Sequence, residues 1–163
     1  MHRALSRLSD AADRLCRFGA AAGMVVMLVL LAIQVVARYL LAEPPGWTEE
    51  GARYAMVWSG LLGSAVAFKA GVDPVLMRLQ SLEHKRPIAW LRAASVVLFI
   101  APILYFCLVG PDQDLTRGFI ARSASCNSET MGLSMAWFTA ALPVTFITLL
   151  IHVAAGLTNR RAS

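Results

Sequence analysis

No aspartate or glutamate falls inside any long apolar run of this 163-residue chain. A small helical bundle that moves protons or cations unaided needs an ionisable carboxylate near the middle of the bilayer, so a self-sufficient proton-coupled exporter is excluded. Histidine is almost as scarce: of three, only His152 lies in an apolar run, and a membrane haem needs two facing axial ligands. Cys16, Cys107 and Cys126 fall in three separate segments with no Cys-x-x-Cys among them, so neither a disulfide framework nor a redox pair is implied. The chain also has no G-x-x-x-x-G-K-[ST], no H-E-x-x-H and no nucleophile with a base nearby. No catalytic, cofactor-binding or metal residues are therefore assigned, and the chain is not read as an enzyme. Charge is sparse too: 15% of residues are charged and 58% hydrophobic, against roughly 25% charged in an average soluble domain. An ordinary soluble fold is excluded.

What is present is apolar length. Uncharged runs able to cross roughly 30 Å of hydrocarbon centre on 18–37, 54–68, 93–110 and 130–158. The expectation is an all-α integral membrane protein, a single membrane domain over 1–163 with four transmembrane helices and amphipathic in-plane helices on the cytoplasmic side. Its parts are an amphipathic N-terminal segment (1–17), TM1 (18–41), TM2 (48–69), an in-plane helix (74–86), TM3 (88–110), an external loop (111–129) and TM4 (130–157). The first run is too long, and followed by too many others, for a cleaved signal peptide; it reads as an anchor. Eleven of the fifteen Lys and Arg residues lie in the N-terminal segment, the middle loop and the C-terminal tail. Positive loops stay in the cytoplasm, so both termini are expected there. Once the loops are assigned no basic patch remains, and nucleic-acid binding is not expected.

The chain is organised around 38–71. Pro44 and Pro45 enforce a tight turn between two helices, flanked by Tyr39 and Trp47, whose amphipathic rings suit a membrane interface. Thr48 reads as an N-cap, with Glu49 and Glu50 in the first turn of the next helix, where its unpaired N–H groups favour negative charge. Arg53 follows Glu49 by four residues and Glu50 by three, so the three share a face and are expected to pair with Arg38 or with charges of a partner. Gly19 and Gly23 in the first run, and Ser59, Gly60, Gly63, Ser64 and Ala67 in the second, form small-residue stripes that allow close helix packing. Pro102 and Pro143 are expected to kink the third and fourth helices.

Taken together, Arg38-Tyr39, Trp47-Thr48-Glu49-Glu50, Arg53-Tyr54, Trp58, Gly63 and Ala67-Phe68-Lys69-x-Gly71 resemble the small membrane subunit of tripartite ATP-independent periplasmic (TRAP) transporters. Asp73 stands where members of that family often carry a histidine. The resemblance implies a bacterial inner-membrane, multi-pass, non-catalytic scaffold subunit. It would support a large TRAP membrane subunit in sodium-coupled uptake of a small organic acid delivered by a periplasmic substrate-binding protein. Membrane lipid is a further partner, and no cofactor is implied. The candidate partner interface comprises Arg38, Tyr39, Trp47, Glu49, Glu50, Arg53, Gly60 and Gly63. The small subunit of a tricarboxylate-type tripartite carrier, which shares the four-span plan, and a stand-alone membrane structural or assembly protein remain open alternatives.

Overall fold

A computed structural model describes residues 2–41, 43, 45–71, 86–109, 118–128 and 130–162. These residues are almost entirely helical: α1 (His2–Val36) runs into a π-helical turn (Ala37–Leu41), then come α2 (Gly46–Ala70), α3 (Arg86–Leu108), α4 (Phe119–Ala124), α5 (Ala136–Thr139) and α6 (Ala141–Ala162). Among the described residues β pairing is confined to one bridge, Asn127 to Ser134. The in-plane helix expected at 74–86 lies outside the described residues apart from Arg86, which opens α3. The amphipathic N-terminal segment and the first apolar run form one unbroken helix of 35 residues, about 50 Å long. Two helical stretches among the described residues, Leu5–Leu40 and Ala136–Thr158, are long and apolar enough to cross a membrane, and Ala93–Leu108 is a shorter apolar helix.

Packing follows from the small residues. A Cβ added at Gly19 would meet Leu62, one at Gly23 would lie 3.1 Å from Ser59 Cβ and 3.3 Å from the Ala55 carbonyl, and one at Gly51 would lie 3.0 Å from Leu30. Rising positions on α1 thus meet falling positions on α2, so the two helices are antiparallel at close approach. The stripe on α2 splits between two faces. Ser59 is buried against α1, whereas added Cβ atoms at Gly60 and Gly63 would meet nothing within 4 Å. α6 packs against both α1 and α2, and α3 joins through α6. The buried residues are mostly small, among them Ala37, Ala52, Ala65, Ala141, Ala155, Thr48, Thr139, Thr145 and Thr148, with Ile100 the large aliphatic side chain among them, while Phe18, Leu98 and Phe106 point outward, each at least 70% exposed. That distribution inverts a soluble core and suits an apolar solvent, in which small side chains let backbones approach and large ones meet lipid or protein.

Helix ends depart from expectation in three places. Thr48 is not the N-cap of α2; that position is Pro45, which makes no side-chain cap. The fully buried Thr48 instead donates Oγ1–H to the Pro45 carbonyl at 2.6 Å. The helix begins two residues before Thr48 because Pro45 has no N–H to leave unsatisfied and already holds φ at −67°. The last long helix starts at Ala136 rather than Thr130, since residues before it fold back: Ser128 N–H donates to the Leu133 carbonyl at 2.8 Å and Met135 N–H to the Cys126 carbonyl at 2.9 Å. Pro143 falls in the first turn of α6, just after the break at Ala140, so its missing donor interrupts the helix near its start instead of bending its middle. At the other end of α2, Gly71 takes the left-handed conformation (φ 67°) that closes a helix without Cβ strain.

If α1 and α2 are locked by this close approach, Gly23→Val should destabilise the full chain by about 1–3 kcal/mol through overpacking. Gly60→Ala, directed into open space, should leave the unfolding midpoint unchanged or raise it. Thermal unfolding of both variants in one detergent checks the contrast.

Candidate functional site

The charged residues of α1 and α2 collect at the two ends of the helix pair. At the end formed by the α1–α2 turn, the first turn of α2 places Glu49, Glu50 and Arg53 on adjacent faces. Arg53 forms an i,i+4 ion pair with Glu49, both well exposed, a geometry that adds only a few tenths of a kcal/mol on a helix surface. Glu50 does more. Its Oε2 accepts from the Thr130 hydroxyl, from Thr130 N–H at 3.3 Å and from Met131 N–H at 3.2 Å, so one carboxylate gathers a turn that lies 80 residues away in sequence. Beside it, Gly46 and Gly51 make room for that turn: an added Cβ would lie 3.0 Å from Thr130 Cγ2 or 3.8 Å from Met131 Sδ. Gly132, at φ 64°, reverses the chain, and Met131 N–H also donates to Ser128 Oγ at 3.1 Å.

The remaining residues predicted for this face stay outward. Tyr39 is 82% exposed, Arg38 is exposed in the π turn, and Trp47 is about half exposed. Gly60 is exposed and Gly63 half-buried further down α2. The structure therefore brings Glu49 to Arg53 and Glu50 to the Thr130–Met131 turn, and it leaves Arg38, Tyr39, Trp47, Gly60 and Gly63 facing away from the bundle's own contacts. One further link was not anticipated: Trp58 Nε1–H donates to the Trp137 carbonyl at 3.0 Å, while the Tyr54 ring meets Phe138 edge-on at 5.4 Å. These tie α2 to α5.

The opposite end carries a second junction that sequence reasoning missed. Ser9 and Asp13, four apart on α1 and both buried, face Lys69 of α2 and His152 of α6. Ser9 Oγ and His152 Nδ1 share a hydrogen bond of 2.9 Å. Lys69 Nζ donates to the Ser9 carbonyl and to Asp10 Oδ1, each at 2.9 Å, and lies 3.9 Å from Asp13 Oδ2. Arg17 donates to the same Asp13 oxygen at 3.0 Å. The hydrogen bond and charge of Lys69 hold the Asp10 carboxyl below the ordinary carboxylate range. The available signal was the i,i+4 spacing of Ser9, Asp13 and Arg17 on one face of α1; nothing in the sequence names Lys69 or His152 as their partners.

Among the described residues no group of His, Cys, Asp or Glu is arranged to hold a metal ion, and the three cysteines are free, Cys16 and Cys107 buried and Cys126 exposed. The arrangement is one of clips and anchors: it fixes helix ends and presents aromatic and charged side chains outward. Glu50→Ala should release the turn at 130–131 and raise hydrogen exchange at the Thr130 and Met131 amides about fivefold. Arg53→Ala should leave those two amides unchanged, as residue-resolved exchange would show.

Comparison with known proteins accounts for this pattern. Residues 13–162 match the family described as "Tripartite ATP-independent periplasmic transporters, DctQ component". The chain is also 25% identical over 122 residues to the sialic acid TRAP transporter small permease protein SiaQ of Vibrio cholerae serotype O1, strain ATCC 39315 / El Tor Inaba N16961. That match covers 74% of this chain and 66%, just under two thirds, of the relative's length. With the family matched across nearly the whole helical bundle, the chain belongs to the DctQ components of tripartite ATP-independent periplasmic transporters, as a small membrane subunit.

Proposed function

We propose that this chain is the non-catalytic scaffold of its transporter, spanning the bacterial inner membrane four times with both termini in the cytoplasm. It supports the large membrane subunit in sodium-coupled uptake of a small organic acid delivered by a periplasmic binding protein. One observation carries the reading: the apolar runs hold no Asp or Glu, so ion and substrate chemistry must reside in another chain. The relative's association with sialic acid, a carboxylate, supports an organic acid as the substrate class. The distribution of Lys and Arg supports the orientation.

In this reading the large subunit meets the face formed by Arg38, Tyr39, Trp47, Glu49 and Arg53 at the outer end, and continues down α2 over Gly60 and Gly63. Glu50 contributes by holding the Thr130–Met131 turn at the edge of that face. Open space above the two glycines lets a partner helix approach its backbone closely.

An affinity-tagged copy expressed with its genomic neighbours should bring down one large membrane protein, and liposomes holding the tagged chain alone should take up no solute. Gly60→Leu should weaken that association about tenfold, ~1.4 kcal/mol, without lowering the unfolding midpoint of the isolated chain. Transport by the chain alone, or termini labelled from outside, would overturn the proposal.

A further inference from the structure

We propose that the N-terminal third of α1 is a docking surface for anionic phospholipid, whose acyl chains cover Leu8, Leu15 and Phe18 and whose phosphates pair with Arg7 and Arg14. The segment is amphipathic, but it is turned the opposite way from a helix of a water-soluble bundle. At about 100° per residue, Ser9, Asp13 and Cys16 share one face of α1, and all three are buried. Polar contacts hold that side inward: Ser9 Oγ with His152 Nδ1 at 2.9 Å, and Lys69 with the Ser9 carbonyl and Asp10 at 2.9 Å each. Leu8, Leu15 and Phe18 lie on the opposite face, each more than half exposed. The contacts fix the rotation of α1, so its apolar side cannot turn into the bundle.

Length and side-chain size point to lipid as the cover. Val25, Val29 and Val36 continue the stripe on the same face, again more than half exposed, so it runs for about 42 Å from Leu8 to Val36. Hydrocarbon is roughly 30 Å thick, and the bilayer about 40–45 Å with its headgroups. A stripe of this length crosses the hydrocarbon and enters a headgroup layer. Interfaces between membrane helices select small residues, and α1 places its glycines, Gly19 and Gly23, against α2. The outward stripe carries large ones.

Charge selects the class of lipid. Arg7 and Arg14, both exposed, stand two turns apart beside the stripe. The two carboxylates of the segment are already engaged, Asp10 by Lys69 and Asp13 by Arg17. Arg14 lies one turn from Asp10, whose hydrogen bond goes to Lys69. Arg7, Arg14, Arg17 and Lys69 thus outnumber Asp10 and Asp13 by two. Each Arg near an anionic surface strengthens attachment about fivefold. In the orientation proposed above, on which only the choice of leaflet rests, the lipid belongs to the inner leaflet.

The test places a bimane fluorophore on Ala11→Cys, exposed between Leu8 and Leu15, in the full chain with its native cysteines replaced by alanine. The chain is held in phosphatidylcholine nanodiscs in which about one fifth of the lipid has brominated acyl chains, as either phosphatidylglycerol or phosphatidylcholine. Brominated phosphatidylglycerol should quench about twofold more strongly. Arg7→Gln combined with Arg14→Gln should remove that difference while quenching persists. Both leaflets have the same composition, so neither the orientation of the chain nor its scaffold role enters the result. Equal quenching by the two lipids before the arginines are changed, or none by either, overturns the proposal. So does quenching that disappears when the chain is co-purified with a large membrane protein, which would assign the face to protein.

Discussion

The close approach of α1 and α2 is the constraint on which the rest of the bundle depends. In an apolar solvent, burying Leu against Leu gains little, because lipid tails are equally apolar; helices associate through dispersion contacts between closely spaced backbones and through hydrogen bonds. Gly19 and Gly23 bring α1 onto Ala55, Ser59 and Leu62; α6 packs against both helices, with Ala141, Thr145, Thr148 and Ala155 buried along it. Threonine suits this packing. Thr145 and Thr148 bond back to the carbonyls of Ala141 and Val144, so buried hydroxyls cost no unsatisfied group and the surface stays narrow.

Polar clips fix the register that this smooth packing alone leaves loose. Small apolar faces can slide past one another by a turn with little change in contact. Glu50 against Thr130 and Met131 at one end, and Lys69 with His152 against Ser9 and Asp13 at the other, cannot. A slip of one turn would separate these groups from their partners. α3 lies outside this arrangement. It joins through α6 and shows large apolar side chains outward, Leu98 and Phe106 among them, as befits a helix whose main neighbour is lipid or another protein.

The bundle shows Tyr39 and Trp47 outward at one end and carries no acidic group in its apolar runs. The membership of the chain among DctQ components gives that shape its setting. Its polar residues divide into two sets. Arg38, Tyr39 and Trp47 face outward, while Glu50, Asp13 and Lys69 bind other parts of the same chain.

Much of this was legible from residues alone. Helical class and the family likeness follow from runs of apolar residues and short-range motifs, all of which act over a few residues. The pairing of Glu49 with Arg53 was legible for the same reason, being one helical turn. Glu50's role was not, because its partners lie 80 and 81 residues away and no local rule links them. The same holds for Ser9 and His152, 143 residues apart, and for the small-residue stripe on α2, whose Ser59 meets α1 while Gly60 and Gly63 do not. Periodicity tells which residues share a helix face; which neighbour each face meets is decided only when the helices assemble, because contacts between distant segments depend on the relative rotation and register of whole helices.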